Sequence, residues 1–281
     1  MKWKELDEKQ LAQMKQALEE AQMLSEVEDL YRPYKQKRKT RASVAREKGL
    51  QGLADWLMRQ KADQSLEQKA AVYINPDKGV EDAAAAIAGA KDILAEEISD
   101  SADIRASLRD YLQKNALIST TIGKNENKIY NMYSEFSESV GKIAPHRILA
   151  IDRGEREQAL KVKVEVDDKA CLGRMERKVI HRDSPFAALL REVCEDSYQR
   201  LLFPSLEREL RGQLTEKACR QAIGVFSENL KNLLMQPPVK GTVTLGLDPA
   251  YRTGCKIAVV DDTGKVLDTT VVYPTPPQKK V

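Results

Sequence analysis

The chain has 281 residues, with 46 Lys and Arg against 43 Asp and Glu, so its net charge of +3 is too small to imply a polyanionic partner without local clustering. No apolar run reaches the ~18–20 residues that a membrane helix needs, and the N-terminal MKWKELDEKQ lacks the apolar core of a secretory signal. Cys171, Cys194, Cys219 and Cys255 form no CxxC pair and have only His146 and His181 to join them, which argues against zinc and for a reducing, cytoplasmic setting.

In chain order, Leu11, Met14, Leu18 and Ala21 recur at helical spacing and predict a helix over Asp7–Ser25. After the Tyr-Arg-Pro-Tyr break, Thr40 is placed to cap a short helix that Gly49 stops, with Leu50 folding back against it. A second short helix covers Gln51–Gln60, and Asn75-Pro76-Asp77 marks a turn. Val80, Ala83, Ile87, Ala90, Leu94 and Ile98 make an apolar stripe on the next helix, and Ile104, Leu108, Tyr111 and Leu112 continue on another.

Ser119–Tyr133 is polar and reads as an exposed turn or loose hairpin. Pro145 opens a helix that Gly154 is expected to end. Leu160, Val162, Val164 and Val166 then alternate with Lys161, Lys163 and Glu165, the pattern of a half-buried strand. Two long helices follow, Pro185–Gly212 and Leu214–Met235, in which Cys194 and Cys219 read as small core residues.

Gln236-Pro237-Pro238 is the expected domain boundary. Beyond it, Val243–Leu247 is an apolar strand delivering Asp248, followed by a loop, a strand at Lys256–Val260, an Asp261–Gly264 turn and a strand within Lys265–Tyr273. This order resembles the opening of a ribonuclease-H-like fold. Such a sheet needs further strands and covering helices, so the segment is read as the start of a truncated domain.

Three groups of residues bear on chemistry. Within Tyr31–Lys48, the residues Arg32, Lys35, Lys37, Arg38, Lys39, Arg41, Arg46 and Lys48 stand against Glu47 alone, with Tyr31 and Tyr34 interleaved. Lys and Arg neutralise phosphates and Tyr stacks on bases, so Arg32, Tyr34, Lys35, Lys37, Arg38, Lys39, Arg41 and Arg46 are the candidate nucleic-acid contacts. The structural alternative is a solvated basic turn whose arginines pair with acidic neighbours.

Asp248 is the second candidate, a vestigial position of the ribonuclease-H type. A two-metal nuclease needs several converging carboxylates, and Asp261 and Asp262 are better explained as turn residues. A phosphate-cradling ATPase reading of the same hairpin prefers Gly and Thr close after the Asp, where Pro249-Ala250-Tyr251-Arg252 stands instead. The third, PHRILAIDRGERE, holds His146 without a Ser, Cys or Asp partner at catalytic spacing. Its arginines are open to phosphate binding or to pairing with Asp152 and Glu155. No catalytic residue, metal site or cofactor is expected.

EDLYRPYKQKRKTRASVAREKGL (Glu28–Leu50), PHRILAIDRGE (Pro145–Glu155), PSLERELR (Pro204–Arg211), AIGVFSENLKNLLMQPPVKG (Ala222–Gly241) and LGLDPAYRTGCKIAVVD (Leu245–Asp261) occur in that order in the Tex family of bacterial transcription accessory proteins. The chain resembles that family over nearly its whole length. Family members are longer at both ends, with the rest of a YqgF-like domain, a helix-hairpin-helix region and an RNA-binding OB-type barrel.

The fold so implied is mainly α: a multi-helix scaffold over residues 1–236 with a small β-hairpin or strand insertion, then a three-strand start of a truncated YqgF-like, RNase-H-like α/β domain over 237–281. The function implied is a non-catalytic scaffold that binds nucleic acid, RNA or single-stranded DNA, beside the transcription machinery, with no membrane and no small-molecule substrate. The alternative is an RNase-H-like nuclease or junction-resolving enzyme with Asp248 as a metal ligand in the intact protein. A protein-interaction scaffold that never meets nucleic acid is the third reading.

Overall fold

The computed structural model describes residues 8–21, 23–35, 38–61, 64–125, 127–237, 241–274 and 276. Its backbone divides into two units, Met1–Arg220 and Gln221–Val281. The fold is mainly α with two small antiparallel sheets, one of them at the C-terminal end. Among the described residues no helix is long and apolar enough to cross a membrane.

The first unit begins with α1 (Glu8–Glu20) and α2 (Leu24–Tyr31), which replace the single helix expected over Asp7–Ser25. Met23 interrupts it: its backbone is extended (φ −122°, ψ 146°), and the Glu26 carboxylate accepts its N–H at 3.2 Å, so α2 has a start of its own. A 3-10 turn over Arg32–Tyr34 follows.

In α3 (Arg41–Glu47) both ends are as expected. The Thr40 hydroxyl accepts the Ser43 N–H at 3.0 Å. Gly49, at φ +87°, and Leu50 then return their N–H groups to Arg46 and Ala45 carbonyls, and Leu50 is buried at 1% exposure. The helix α4 (Gln51–Arg59) ends at Gln60 in the left-handed conformation, φ +56°. The buried Gln60 amide donates to the Val179 carbonyl at 2.7 Å and accepts the His181 N–H at 2.9 Å, which joins distant parts of the chain.

After α5 (Leu66–Ala71), α6 (Ala83–Asp100) runs through the core. Ala86, Ala90, Ile93, Leu94 and Ile98 are buried on it, with Ile87 half-buried at the margin. The helix α7 (Ala102–Asn115) buries Ile104, Leu108 and Leu112.

The first sheet is antiparallel with strand order β2–β1–β3, formed by β1 (Leu117–Ile122), β2 (Glu135–Ser139) and β3 (Leu160–Glu165). On β3 the expected alternation holds, with Leu160 and Val164 buried and Lys161, Lys163 and Glu165 exposed. The loose loop expected over Ser119–Tyr133 is more ordered than its polarity suggested. Its first residues lie in β1, and 3-10 turns over Lys128–Tyr133 bury Tyr130 and Tyr133.

The helix α8 (Pro145–Arg156) begins at Pro145 but passes through Gly154 instead of ending there. A Cβ at Gly154 would lie 2.7 Å from Leu160 Cδ1 and 3.0 Å from Tyr130 Cδ1. This glycine therefore serves close packing of α8 on the sheet, not helix termination.

One helix escaped the sequence reading. In α9 (Asp168–Val179), Cys171, Met175 and Val179 form a one-residue-wide stripe among charges. Asp167 caps it by accepting the Ala170 N–H at 3.1 Å. Next, α10 (Ala187–Asp196) leads through a wider π-type turn, Ser197–Leu202, into α11 (Phe203–Leu234). The expected break near Gly212 does not occur. One interior glycine costs a helix only about 1 kcal/mol, and the buried Leu206 and Leu210 hold the preceding turns. Cys194 is buried as expected, whereas Cys219 is exposed on α11.

The second unit holds the remainder of α11 and the antiparallel meander β4 (Thr244–Asp248), β5 (Cys255–Val260) and β6 (Val266–Val272), in that order. Asp261 builds the β5–β6 turn, its carboxylate accepting N–H groups of Thr263 and Lys265 at 2.9 and 3.0 Å. Strand β4 is exposed along its length, including Leu245 and Leu247.

Candidate nucleic-acid interface

The basic segment leaves α2 at Tyr31, turns through Arg32–Tyr34 and enters α3 at Arg41. Lys35 lies in extended backbone (φ −63°, ψ 132°) and faces solvent. Arg38, Lys39 and Arg41 are exposed as well, and Tyr34 is half-buried. Lys37 lies outside the described residues.

Two of the candidate arginines point to protein partners. Arg46 donates Nη1 to Glu96 at 2.7 Å, Nη2 to Glu97 at 3.4 Å and Nε to Gln51 at 2.9 Å. Burial disfavours its charge, but the two carboxylates overcome this and hold its pKa above the ordinary value. Its fork joins α3 to α6 and so places the start of α3. Arg32 is half-buried with Nε 4.0 Å from Asp29. Burial and the nearby Arg105 charge bring its pKa down, against the pull of Asp100, Asp29 and Glu209.

Beneath the segment lies a charge network that sequence reasoning missed. Asp29 of α2, 3% exposed, receives Arg105 Nε on Oδ1 and Arg109 Nη2 on Oδ2, both from α7. Arg109 also donates Nε to Glu209 of α11 at 2.6 Å, and Arg105 Nη2 reaches Ser205 Oγ at 3.3 Å. Burial works against the Arg109 charge, and its hydrogen bonds to Glu209 and Asp29 raise its pKa above ordinary nonetheless. The signal available in the sequence was slight: Arg105 and Arg109 sit one step beyond Ile104 and Leu108 of the apolar stripe, at i, i+4 spacing.

The network fixes α2, and with it the start of the basic segment, to α7 and α11. Unpairing one member of a buried charge set costs roughly 3–5 kcal/mol, so the segment is anchored on a stiff base. The arginines of α8 are likewise structural in part. Arg147 pairs with Glu138 at 2.6 Å, and Arg153 with Glu157 at 2.9 Å. Asp152 and Glu155 of the same helix are taken up by Arg211 of α11 at 3.1 and 2.6 Å.

In the second unit, Asp248 is exposed at the end of β4, directly opposite Lys256 in the antiparallel register. It borders an open concavity of about 650 Å3 on the sheet face, with Lys256, Thr269 and Thr270 also in the lining. Among the described residues no group of three or more His, Cys, Asp or Glu is placed to hold a metal ion. Asp248 is thus presented as the strand pattern expected, and the carboxylate of Asp261 is engaged in its own turn.

Comparison with known proteins bears on both units. A family model described as Tex central region-like matches residues 61–226, and one described as the Tex protein YqgF-like domain matches residues 242–281. The chain is 47% identical over 272 residues to the protein YdcI of Bacillus subtilis, covering 95% of this chain and 38% of that one. It is 39% identical over 286 residues to Protein tex of Bordetella pertussis, covering 95% and 36%. Identity to the human S1 RNA-binding domain-containing protein 1 is 34% over 266 residues, covering 88% and 26%. The chain therefore spans between about a quarter and two-fifths of the length of these curated relatives.

Proposed function

The chain belongs to the Tex family of transcription accessory proteins, and on that premise we propose that it binds single-stranded nucleic acid, RNA foremost, as a non-catalytic scaffold. The observation that carries this reading is the set of solvent-facing cations Lys35, Arg38, Lys39 and Arg41, displayed on a segment anchored from below. Cations held in this way neutralise successive phosphates and release their counterions, a favourable term that carries no sequence preference. The name of the human relative, which specifies an S1 RNA-binding domain, supports RNA as the ligand class. The name of a Neisseria gonorrhoeae relative, transcriptional accessory protein Tex, supports a place beside the transcription machinery. We assign the chain no catalytic step, since Asp248 alone supplies one of the several carboxylates that metal-dependent cleavage requires.

The test is binding of a fluorescent single-stranded RNA over a series of salt concentrations. Affinity should fall as salt rises. In the triple variant Lys35→Ala, Arg38→Ala, Lys39→Ala the slope of log K against log salt should flatten by about 2 units, at ~0.7 per single-strand phosphate contact. Wild-type binding with no salt dependence would remove the electrostatic mechanism, and an unchanged slope in the triple variant would remove this segment from the interface.

A further inference from the structure

The same region carries a feature that charge alone does not explain. Between α1 and the α2–Tyr34 corner lies a cleft of about 330 Å3, walled by Met14 and Ala17 of α1, Leu30 of α2, and Pro33 and Tyr34 of the 3-10 turn. Asp29 forms its polar floor. This volume stands at the lower end of the ~300–1,000 Å3 range of small-molecule sites, enough for one flat ring and its sugar. The walls are apolar or aromatic and partly open to solvent. Lys35, which follows Tyr34 in the chain, is exposed.

We propose that this cleft takes a single unstacked nucleobase of the bound strand, with Tyr34 as the stacking face. The proposal rests on the nucleic-acid reading above and deepens it. Three features point to a base and not to an apolar side chain.

First, Tyr34 lines the cleft with Met14 and Pro33, and stacking on an aromatic ring accepts any base. Second, the floor carries the Asp29 carboxylate, which Arg105 and Arg109 orient through one oxygen each. Third, exposed cations, Lys35, Arg38, Lys39 and Arg41, follow Tyr34 in the chain, and a base joined to a phosphate backbone requires cations of this kind nearby. An isolated aromatic metabolite would have no use for them.

The cleft contributes through stacking and the cations through counterion release, so the two are separable by salt. The probe is a single-stranded RNA 12-mer, roughly the length one such module covers, carrying one 2-aminopurine, titrated into the full chain at several salt concentrations. Tyr34→Ala should weaken binding about tenfold, the order expected for one lost base stack, abolish the 2-aminopurine emission change and leave the salt slope at its wild-type value.

Tyr34→Phe, which keeps the ring, should retain both affinity and emission change. Ala17→Leu fills the cleft from α1 without touching a charge or the ring, and should reproduce the Tyr34→Ala result. Far-UV circular dichroism identifies any variant that has lost its fold, and Ala17→Leu and Tyr34→Phe decide the matter independently of Tyr34→Ala. Wild-type affinity and emission in Tyr34→Ala would overturn the cleft and leave the electrostatic reading standing. A flattened salt slope in Tyr34→Ala would also overturn it, by showing that the ring acts on the cations. If the wild-type chain bound no oligonucleotide at any salt, both readings would fall together.

Discussion

Substitution of Asp29 is the most direct probe of how the basic segment is held. Its side chain is 4% exposed and lies between Arg105 at 2% and Arg109 at 8%. In Asp29→Ala the loss is uneven. Arg109 keeps Glu209 at 2.6 Å, whereas Arg105 is left with Ser205 Oγ at 3.3 Å and a longer approach to Glu209 at 3.6 Å. The uncompensated charge is therefore that of Arg105.

Breaking a buried pair costs roughly 3–5 kcal/mol, and the residual Glu209 contact places the expected loss near the lower end, about 3 kcal/mol. Removing both charges should cost far less, because a buried pair replaced by apolar groups of similar volume is near neutral. Asp29→Leu combined with Arg105→Met should thus recover most of the stability lost in Asp29→Ala. Urea unfolding followed by far-UV circular dichroism measures both, and hydrogen exchange should localise the single variant's loss to α2. A loss below about 1 kcal/mol in Asp29→Ala, or a double variant as weak as the single, would refute the idea that Asp29 neutralises Arg105.

Other expectations follow from separate parts of the chain. Gly154→Ala drives a methyl group against Leu160 and Tyr130 and should destabilise by about 1–3 kcal/mol; an unchanged thermal midpoint would show that α8 has slack against the sheet. Burial, with the Glu176 charge adding to it, pushes the Cys194 thiol up to about 12. The raised native pKa means that this contribution is intact below pH ~9 and is lost as pH climbs toward 12. Between pH 8 and 10.5 the wild type should therefore lose about 2 kcal/mol more than Cys194→Ala in urea unfolding, and equal losses would contradict it. With magnesium or manganese the chain should not cleave RNA, duplex DNA or branched DNA; cleavage that Asp248→Asn abolishes would establish the nuclease reading. Amides of β4 and β5 should exchange faster than those of α6, given how exposed β4 is; equal protection in a monomer would show the sheet to be satisfied as it stands.

Which parts of this chain were legible from sequence follows from the range of the interactions involved. The Thr40 cap, the Gly49 stop and the Leu50 return are set by hydrogen bonds between residues three to five positions apart, so neighbouring letters suffice. The β3 alternation is the one-dimensional imprint of a single buried face, and the α6 stripe held at Ala90, Leu94 and Ile98, while Ala83 and Ile87 are half-buried and Val80 precedes the helix. The interruption at Met23 and the narrow stripe of α9 were harder, because helical periodicity continues through the first and is diluted by charge in the second.

The clustering of cations over Arg32–Arg46 was plain in the sequence, and so was the position of Asp248 at a strand end. Tertiary structure alone decided their orientation. Arg46 faces Glu96, fifty residues on, and Arg105 meets Asp29 across 76 positions and Ser205 across 100. Gly154 and Gly212 make the same point, one spacing helix from sheet and the other passing unnoticed inside α11. Local propensity and pattern act through neighbours on the chain. Burial of a charge, and the room left beside a backbone, depend on which distant element arrives there, and that is settled only when the helices pack.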